Sequence, residues 1–352
     1  MKKINFYLTL FRTDRKAFWF QLWMVYNRYK INSLVWVFKK IGRSRNQFLT
    51  VHGRPMRVSA TTTWSDPLKN QPTIALVIQG PLKYEEDFTL ETVRLYAKNF
   101  AGAQIIVSTN SGSNPETITQ LTEAGAYIVY DDRPASTGFG NVNLQLASTI
   151  VGLKKAQELG AEFVYKTRTD QRMYGVNISE FLLNLIRTFP SAPGSPQKYR
   201  IVASSFLSLK YVPYLITDMF QFGHIDDMLQ FWNAPFDTRT GPAPITRTVQ
   251  EATDARIAEP YLVTEYLKSL GHTPLGTLAD SWEVYAKYFC IVDRETLDLF
   301  WYKYNFYLEY MNRDYQGVSN SQLLSFAEWF NLYTNAANKK TIPTTGLQLT
   351  RQ

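Results

Sequence analysis

Of 352 residues, one is cysteine, Cys290, so no internal disulfide is possible. That suits a reducing cytoplasm. Cys290 lies in the apolar run Tyr288-Phe289-Cys290-Ile291-Val292, the setting of a buried inert thiol and not of a nucleophile. There are only three histidines (His52, His224 and His272), and their scatter excludes a zinc-type cluster. The N-terminal region has almost no acid. Residues 1–57 hold 13 Lys or Arg against Asp14 alone, whereas the other 295 residues hold 25 basic and 29 acidic side chains. The net charge of +8 therefore belongs to the first 57 residues. Their longest uncharged run, 17–27, is too short to span a bilayer, which takes about 20 apolar residues. Residues 4–11, cut off by Arg12, do not form a signal peptide. There is no internal repeat and no low-complexity tract.

Aromatic residues are abundant, at 15%, a load often found on carbohydrate- and lipid-contacting surfaces even though most rings belong to the core. In residues 1–57, Phe6, Leu10, Phe18, Trp19, Leu22, Trp23, Tyr26 and Trp36 interleave with Arg12, Arg15, Lys16, Arg28, Lys30, Lys39 and Lys40. This predicts amphipathic helices lying on an anionic membrane surface, with Trp and Tyr at headgroup level. Packing of the same helices on the main domain would use the same residues. So many Trp and Leu side chains suit an apolar partner better than a phosphate backbone, so nucleic acid is not expected. Residues 58–73, with Asp66-Pro67 and Pro72, read as a linker.

From residue 74 strands and helices alternate. Residues 74–78 (Ile-Ala-Leu-Val-Ile) are a continuous apolar run, as in a strand buried on both faces. Helix 89–100, strand 104–108, helix 115–124, strand 127–130, helix 141–159 and strand 162–167 follow. This series predicts right-handed βαβ units and a mostly parallel sheet flanked by helices. Further on, the expected elements are helix 178–189, strand 200–209, a loop-to-helix turn at 223–228, helix 256–270, strand 288–292 and one or two aromatic-rich helices in 294–336. The main domain is placed at 74–336, with a nucleotide-sugar half at 74–175, an acceptor half at 176–336 and a tail at 337–352.

The fourth strand ends in Lys166-Thr167-Arg168-Thr169-Asp170-Gln171-Arg172. Ligands of open α/β sheets bind beyond the carboxyl ends of the strands. A carboxylate among cations there suits the donor site of a sugar-nucleotide transferase. Asp170 could help hold Mg²⁺ or Mn²⁺. Arg168 or Arg172 could meet a diphosphate directly. Gln79-Gly80-Pro81 ends the first strand, where a base or ribose would sit, and Gly80 would let backbone approach a ligand; an ordinary turn needs the same residues. Asp131, after the third strand, suits a ribose or base, or caps a turn. Asn141 and Asn143 open the long helix and could hold the donor or serve as caps. Acids available as the base that deprotonates an acceptor hydroxyl include Asp227 and Glu259.

Ile-Gln-Gly-Pro-Leu at 78–82, Ile-Ile-Val-Ser-Thr at 105–109, Asn-Val-Asn-Leu-Gln at 141–145, Lys-Thr-Arg-Thr-Asp at 166–170 and Gly-His-Ile-Asp-Asp-Met at 223–228 occur in that order. Together they resemble the WavE family of lipopolysaccharide-synthesis proteins, over residues 74–293. The resemblance implies a GT-A-like glycosyltransferase of bacterial surface-polysaccharide assembly. Its cosubstrate would be a nucleotide sugar, and its acceptor a lipid-linked or lipopolysaccharide glycan. It puts Gly80, Asn143, Arg168 and Asp170 on the donor side and Asp227 near the reaction centre. Arg-x-Asp replaces the Asp-x-Asp of many GT-A enzymes, which bears on metal dependence. The expected place is the cytoplasmic face of the inner membrane. A sugar nucleotidyltransferase and a non-catalytic scaffold of envelope assembly are the competing readings.

Overall fold

The computed structural model describes residues 14–15, 18–19, 22–23, 32–44, 52–61, 72–240, 249–303 and 322–342. The chain divides into two units, Met1–Arg54 and Pro55–Gln352. In the first unit, helix α1 (Asn32–Ser44) exposes Trp36, Lys39, Lys40 and Arg43, with the Lys40 ammonium 5.5 Å from the centre of the Trp36 ring. Most of residues 58–73 and of the tail lie outside the described residues.

The second unit is an α/β fold around a seven-stranded, mostly parallel sheet. Strands β1 (Ile74–Gln79), β2 (Gln104–Thr109), β3 (Ala126–Tyr130) and β4 (Phe163–Arg168) run parallel in the order β3-β2-β1-β4. Then come β7 (Gln221–His224), antiparallel to both its neighbours, and β6 (Ile201–Ser204) and β8 (Phe289–Val292), parallel to each other. Central β1 is buried along its whole length, as its unbroken apolar run requires. Beside the sheet, β5 (Gln171–Met173) and β9 (Leu299–Trp301) pair as a short antiparallel ribbon.

Helices α2 (Phe88–Asn99), α3 (Pro115–Glu123) and α4 (Val142–Glu158) are the crossovers between the parallel strands. They are followed by α5 (Ile178–Thr188), α6 (Ile225–Trp232), α7 (Val249–Ala255), α8 (Ala258–Ser269), α9 (Leu278–Tyr288), the single turn α10 (Arg294–Leu297) and α11 (Phe326–Ala337). Helix α4 lies directly on β1, because a Cβ at Gly152 would run into Val77. On the opposite face Phe163, Tyr165 and Phe222 form an aromatic stack beneath Phe100.

Register decides what the α4 face carries. Val77 pairs with Lys166, Gln79 with Arg168 and Ser108, and Lys166 with Gln221. Residues directly opposite share a face. Val77 meets α4, so Ser108, Gln79, Arg168, Lys166 and Gln221 form a polar band on that side, at the carboxyl ends of β1, β2 and β4.

Three expected elements are corrected. The expected turn at 223–228 is the end of β7 and the start of α6. The expected strand 200–209 stops at Ser204, and Leu207 has a positive φ of 63°. The aromatic region 294–336 holds α10, β9 and α11, with 304–321 outside the described residues. The helix α9 was not expected at all.

Candidate functional site

Beyond the carboxyl end of β4, Asp170 and Arg168 lock together. Arg168 Nε donates to Asp170 Oδ1 at 2.9 Å and Nη2 to Oδ2 at 3.1 Å. Trp301 Nε1 adds a third bond to Oδ2 at 3.0 Å. Trp301 reaches Asp170 because the β5–β9 ribbon turns back there, with Tyr302 N on the carbonyl of Asp170 at 2.9 Å. Burial works against the Asp170 carboxylate, but Arg168, Trp301 and the nearby charge of Lys303 hold it below the ordinary range. Two of the five guanidinium N–H groups of Arg168 are used in this fork, and three remain.

Asp170 was expected to hold a metal. Both of its oxygens are taken by Arg168 and Trp301. Among the described residues no three His, Cys, Asp or Glu side chains are placed to hold an ion. This donor set does not fit a resident divalent cation.

Glu259 joins the same cluster from above. It is the second residue of α8, within reach of the charges of Asp218, Lys166 and Arg168. The residue is half-buried, so part of its carboxyl side chain is removed from water. That desolvation, with the charge of Asp218 behind it, lifts the carboxyl to about 7. A chain of contacts sets the position of α8. Asn143 on α4 bonds both main-chain polar groups of Asp237, at 2.9 and 2.7 Å. Asp237 grips Arg239, whose guanidinium bonds the carbonyls of Ala255 and Arg256, just before α8.

Lys166, fully buried, donates to the main-chain carbonyl of Asp218 and lies 4.5 Å from the centre of the Trp232 ring. Burial lowers its ammonium to about 8. Sequence reasoning did not single out Asp218 or Trp301. A lone acid between Ile216 and Phe220 was the available signal for Asp218; nothing in the sequence marks Trp301.

The other expected residues are placed as follows. Gln79 is buried and its carbonyl accepts from Thr169 N at 3.1 Å. Gly80, at φ +122°, donates to the carbonyl of Ser108, and a Cβ there would sit 3.1 Å from Thr169 Oγ1. The Pro81 carbonyl accepts from that same Thr169 hydroxyl at 2.6 Å. Gly80 is thus needed for the approach of two loops of this chain. Asp131 stands at the end of β3, and burial raises its carboxyl against a bond from Ser148. Asn141 is exposed at φ +63° and makes no side-chain cap.

Three expectations are corrected. The side chain of Asn143 is spent on Ser136 and Asp237, so it holds loops and not a donor. Arg172 turns inward to Thr92, Phe88 and Met56 and is unavailable to a diphosphate. Asp227 lies at the wrong edge of the sheet. Antiparallel pairing sets His224 opposite Phe163 at the start of β4, while Gln221 faces Lys166 near its end. Asp227 follows His224, roughly a strand's length, about 15–20 Å, from the cluster. Its oxygens accept from Lys198 N and Tyr199 N at 3.0 and 2.9 Å. A separate groove of about 440 Å³, lined by residues including Trp282, Leu332 and Lys339, contains none of the cluster.

The family model of WavE lipopolysaccharide synthesis matches residues 74–350. The chain belongs to that family. Membership gives this WavE protein a role in lipopolysaccharide synthesis. No curated protein matches its sequence. Among solved structures, glucosyl-3-phosphoglycerate synthase from Mycobacterium tuberculosis, in complex with Mn²⁺, UDP and glucosyl-3-phosphoglycerate, is 16% identical, with a TM-score of 0.33 over 64% of this chain and 85% of that one. The 4-diphosphocytidyl-2C-methyl-D-erythritol synthase of Anaerococcus prevotii is 12% identical, with a TM-score of 0.29 over 46% and 74%. Likenesses at this level carry no argument about the chemistry of the WavE chain.

Proposed function

We propose that the protein is a glycosyltransferase that moves a sugar from a nucleotide-sugar donor to a growing bacterial lipopolysaccharide or capsule glycan. One arrangement carries the reading: the Arg168–Asp170 fork stands at the carboxyl ends of the parallel strands, within reach of Glu259, whose carboxyl burial raises above its ordinary range. A general base works best when its pKa lies near the operating pH. Glu259 takes the proton of the acceptor hydroxyl as that oxygen bonds to the anomeric carbon. The bond from this carbon to the diphosphate oxygen breaks, and the nucleoside diphosphate leaves with the electron pair. The three free N–H groups of Arg168, fixed in orientation by Asp170, are suited to its phosphate oxygens.

The test is a thermal-shift panel of UDP-, GDP- and CMP-sugars, with and without Mn²⁺, followed by a transfer assay on the donor that binds. A bound donor raises the melting temperature. Glu259→Gln should keep donor binding and lose about 10²–10⁴-fold in kcat. Full activity of that variant removes Glu259 from the mechanism. Pyrophosphate release from a nucleoside triphosphate and a sugar phosphate would favour a nucleotidyltransferase. Binding of no nucleotide sugar at all would favour a scaffold.

The reading extends to a place, the cytoplasmic face of the inner membrane, held peripherally by residues 1–57. Exposed Trp19, Trp23 and Trp36, amid the basic surplus of this segment, support it. Among the described residues no helix is long and apolar enough to cross a membrane.

A further inference from the structure

Residues 55–61 lie ahead of residue 74, where the family match begins, yet they are fastened to the ribbon that presents Trp301 to Asp170. Arg172, the middle residue of β5, is 2% exposed, and none of its hydrogen-bond partners is a carboxylate. Its Nη1 donates to the carbonyl of Met56 at 2.9 Å and to the Tyr174 hydroxyl at 3.1 Å. That hydroxyl donates in turn to the carbonyl of Pro55 at 2.7 Å. Nε and Nη2 go to Thr92 and to the carbonyl of Phe88 on α2. A cation removed from water depends on each of its acceptors. The carbonyls of Pro55 and Met56 are therefore part of what keeps Arg172 in place.

The same segment is tied down again farther on. Val58 N donates to Oε2 of the buried Glu91 on α2 at 2.7 Å. Arg57 pairs with Asp87 at 2.5 Å, and Lys98 Nζ donates to the carbonyl of Thr61 at 2.6 Å. Between these bonds Val58–Ala60 form a single 3₁₀ turn. The first four residues of the expected linker are thus docked on α2. From Arg172 the connection to the fork is short. Arg172 stands opposite Phe300, and Gln171 opposite Trp301, in the β5–β9 ribbon. Trp301 Nε1 reaches Asp170 Oδ2 at 3.0 Å, and Asp170 holds Arg168.

We propose that residues 55–61 are a positioning strap of the donor site. Clamped to α2 and to Arg172, they hold the β5–β9 ribbon so that Trp301 keeps Asp170, and through it Arg168, in the orientation that meets the donor diphosphate. The inference rests on the transferase reading for the donor alone. The hold of the strap on the ribbon is testable without any substrate.

The full chain is compared with Tyr174→Phe, Val58→Pro and the double variant. Tyr174→Phe removes the hydroxyl between Pro55 and Arg172. Val58→Pro removes the N–H that meets Glu91, at a place where Arg57 is already extended (φ −114°, ψ 141°), as the residue before a proline requires. The indole N–H signals of the eight tryptophans are followed by NMR, with that of Trp301 assigned from Trp301→Phe. In the double variant the Trp301 indole should exchange with water about tenfold faster, as for one or two hydrogen bonds lost. The indoles of Trp232, on Gln221, and of Trp329, on the carbonyls of Tyr285 and Phe289, should not change. An unchanged Trp301 overturns the proposal. So does a change shared by all three, which would make the strap a general stabiliser. Should the double variant fail to fold, Tyr174→Phe alone is read by the same criteria. In the transfer assay the donor KM of the double variant should rise about tenfold, with the acceptor KM as in the wild type. An unchanged donor KM beside a moved Trp301 overturns the positioning role. A moved Trp301 in a protein that turns over no nucleotide sugar would leave the hold of the strap standing and sink the transferase reading.

Discussion

Arg168 and Asp170 neutralise each other, and that neutrality is what makes Arg168 useful. A free guanidinium at this depth would carry a large desolvation cost. The planar fork uses one edge for Asp170 and leaves the other for an incoming anion. Lysine has the charge but not the fork. Arg168→Lys should therefore fold, with a stability loss of about 1–3 kcal/mol from the broken pair. Donor affinity should fall about tenfold or more, equivalent to about 1.4 kcal/mol. Calorimetric titration with the donor found by the panel measures it. An unchanged Kd would show that charge alone matters and that the fork does not meet the diphosphate.

At the scale of elements, β7 reverses direction inside an otherwise mostly parallel sheet, and this reversal moves Asp227 away from the chemistry. From the first turn of α6, Asp227 accepts from the main-chain N–H groups of Lys198 and Tyr199 in the loop before β6. Asp227→Asn turns a donor toward one of those N–H groups, and a buried unmade bond costs about 1–3 kcal/mol. The variant should lower the urea midpoint and leave kcat of the folded protein unchanged. A specific loss of kcat would return Asp227 to the mechanism. The same reversal explains what could be read in advance. Strands β1 to β4 were legible because long crossover helices separate apolar runs, and each parallel connection permits one handedness. Gln221-Phe222-Gly223-His224 is four residues with a glycine and no alternation, and resembles a turn. Arg168 and Glu259 were legible as charged residues near element ends. Trp301 on Asp170 and the Asp218 carbonyl on Lys166 were not, because each arrives by tertiary pairing from 50 or more residues away.

For the whole molecule, the charge separation is the organising fact. The first 57 residues are strongly basic and the rest is slightly acidic. Under the proposed transferase reading, a unit working on a lipid-linked acceptor gains from an attachment that does not depend on its own surface charge. Two forces act in such a segment. Lys and Arg are each worth about 1 kcal/mol near an anionic surface, and salt screens that part. Buried Trp and other apolar surface contributes about 25 cal/mol per Å², and salt does not screen it. In sedimentation with vesicles containing anionic lipid, the full chain should pellet at low salt and stay partly bound at 0.5 M NaCl. Deleting residues 1–54 should leave the remaining unit in the supernatant at every salt concentration, with its donor-induced thermal shift intact. Complete release of the full chain by salt would make the attachment purely electrostatic. Pelleting of the truncated chain would move the membrane-binding surface onto the catalytic unit itself.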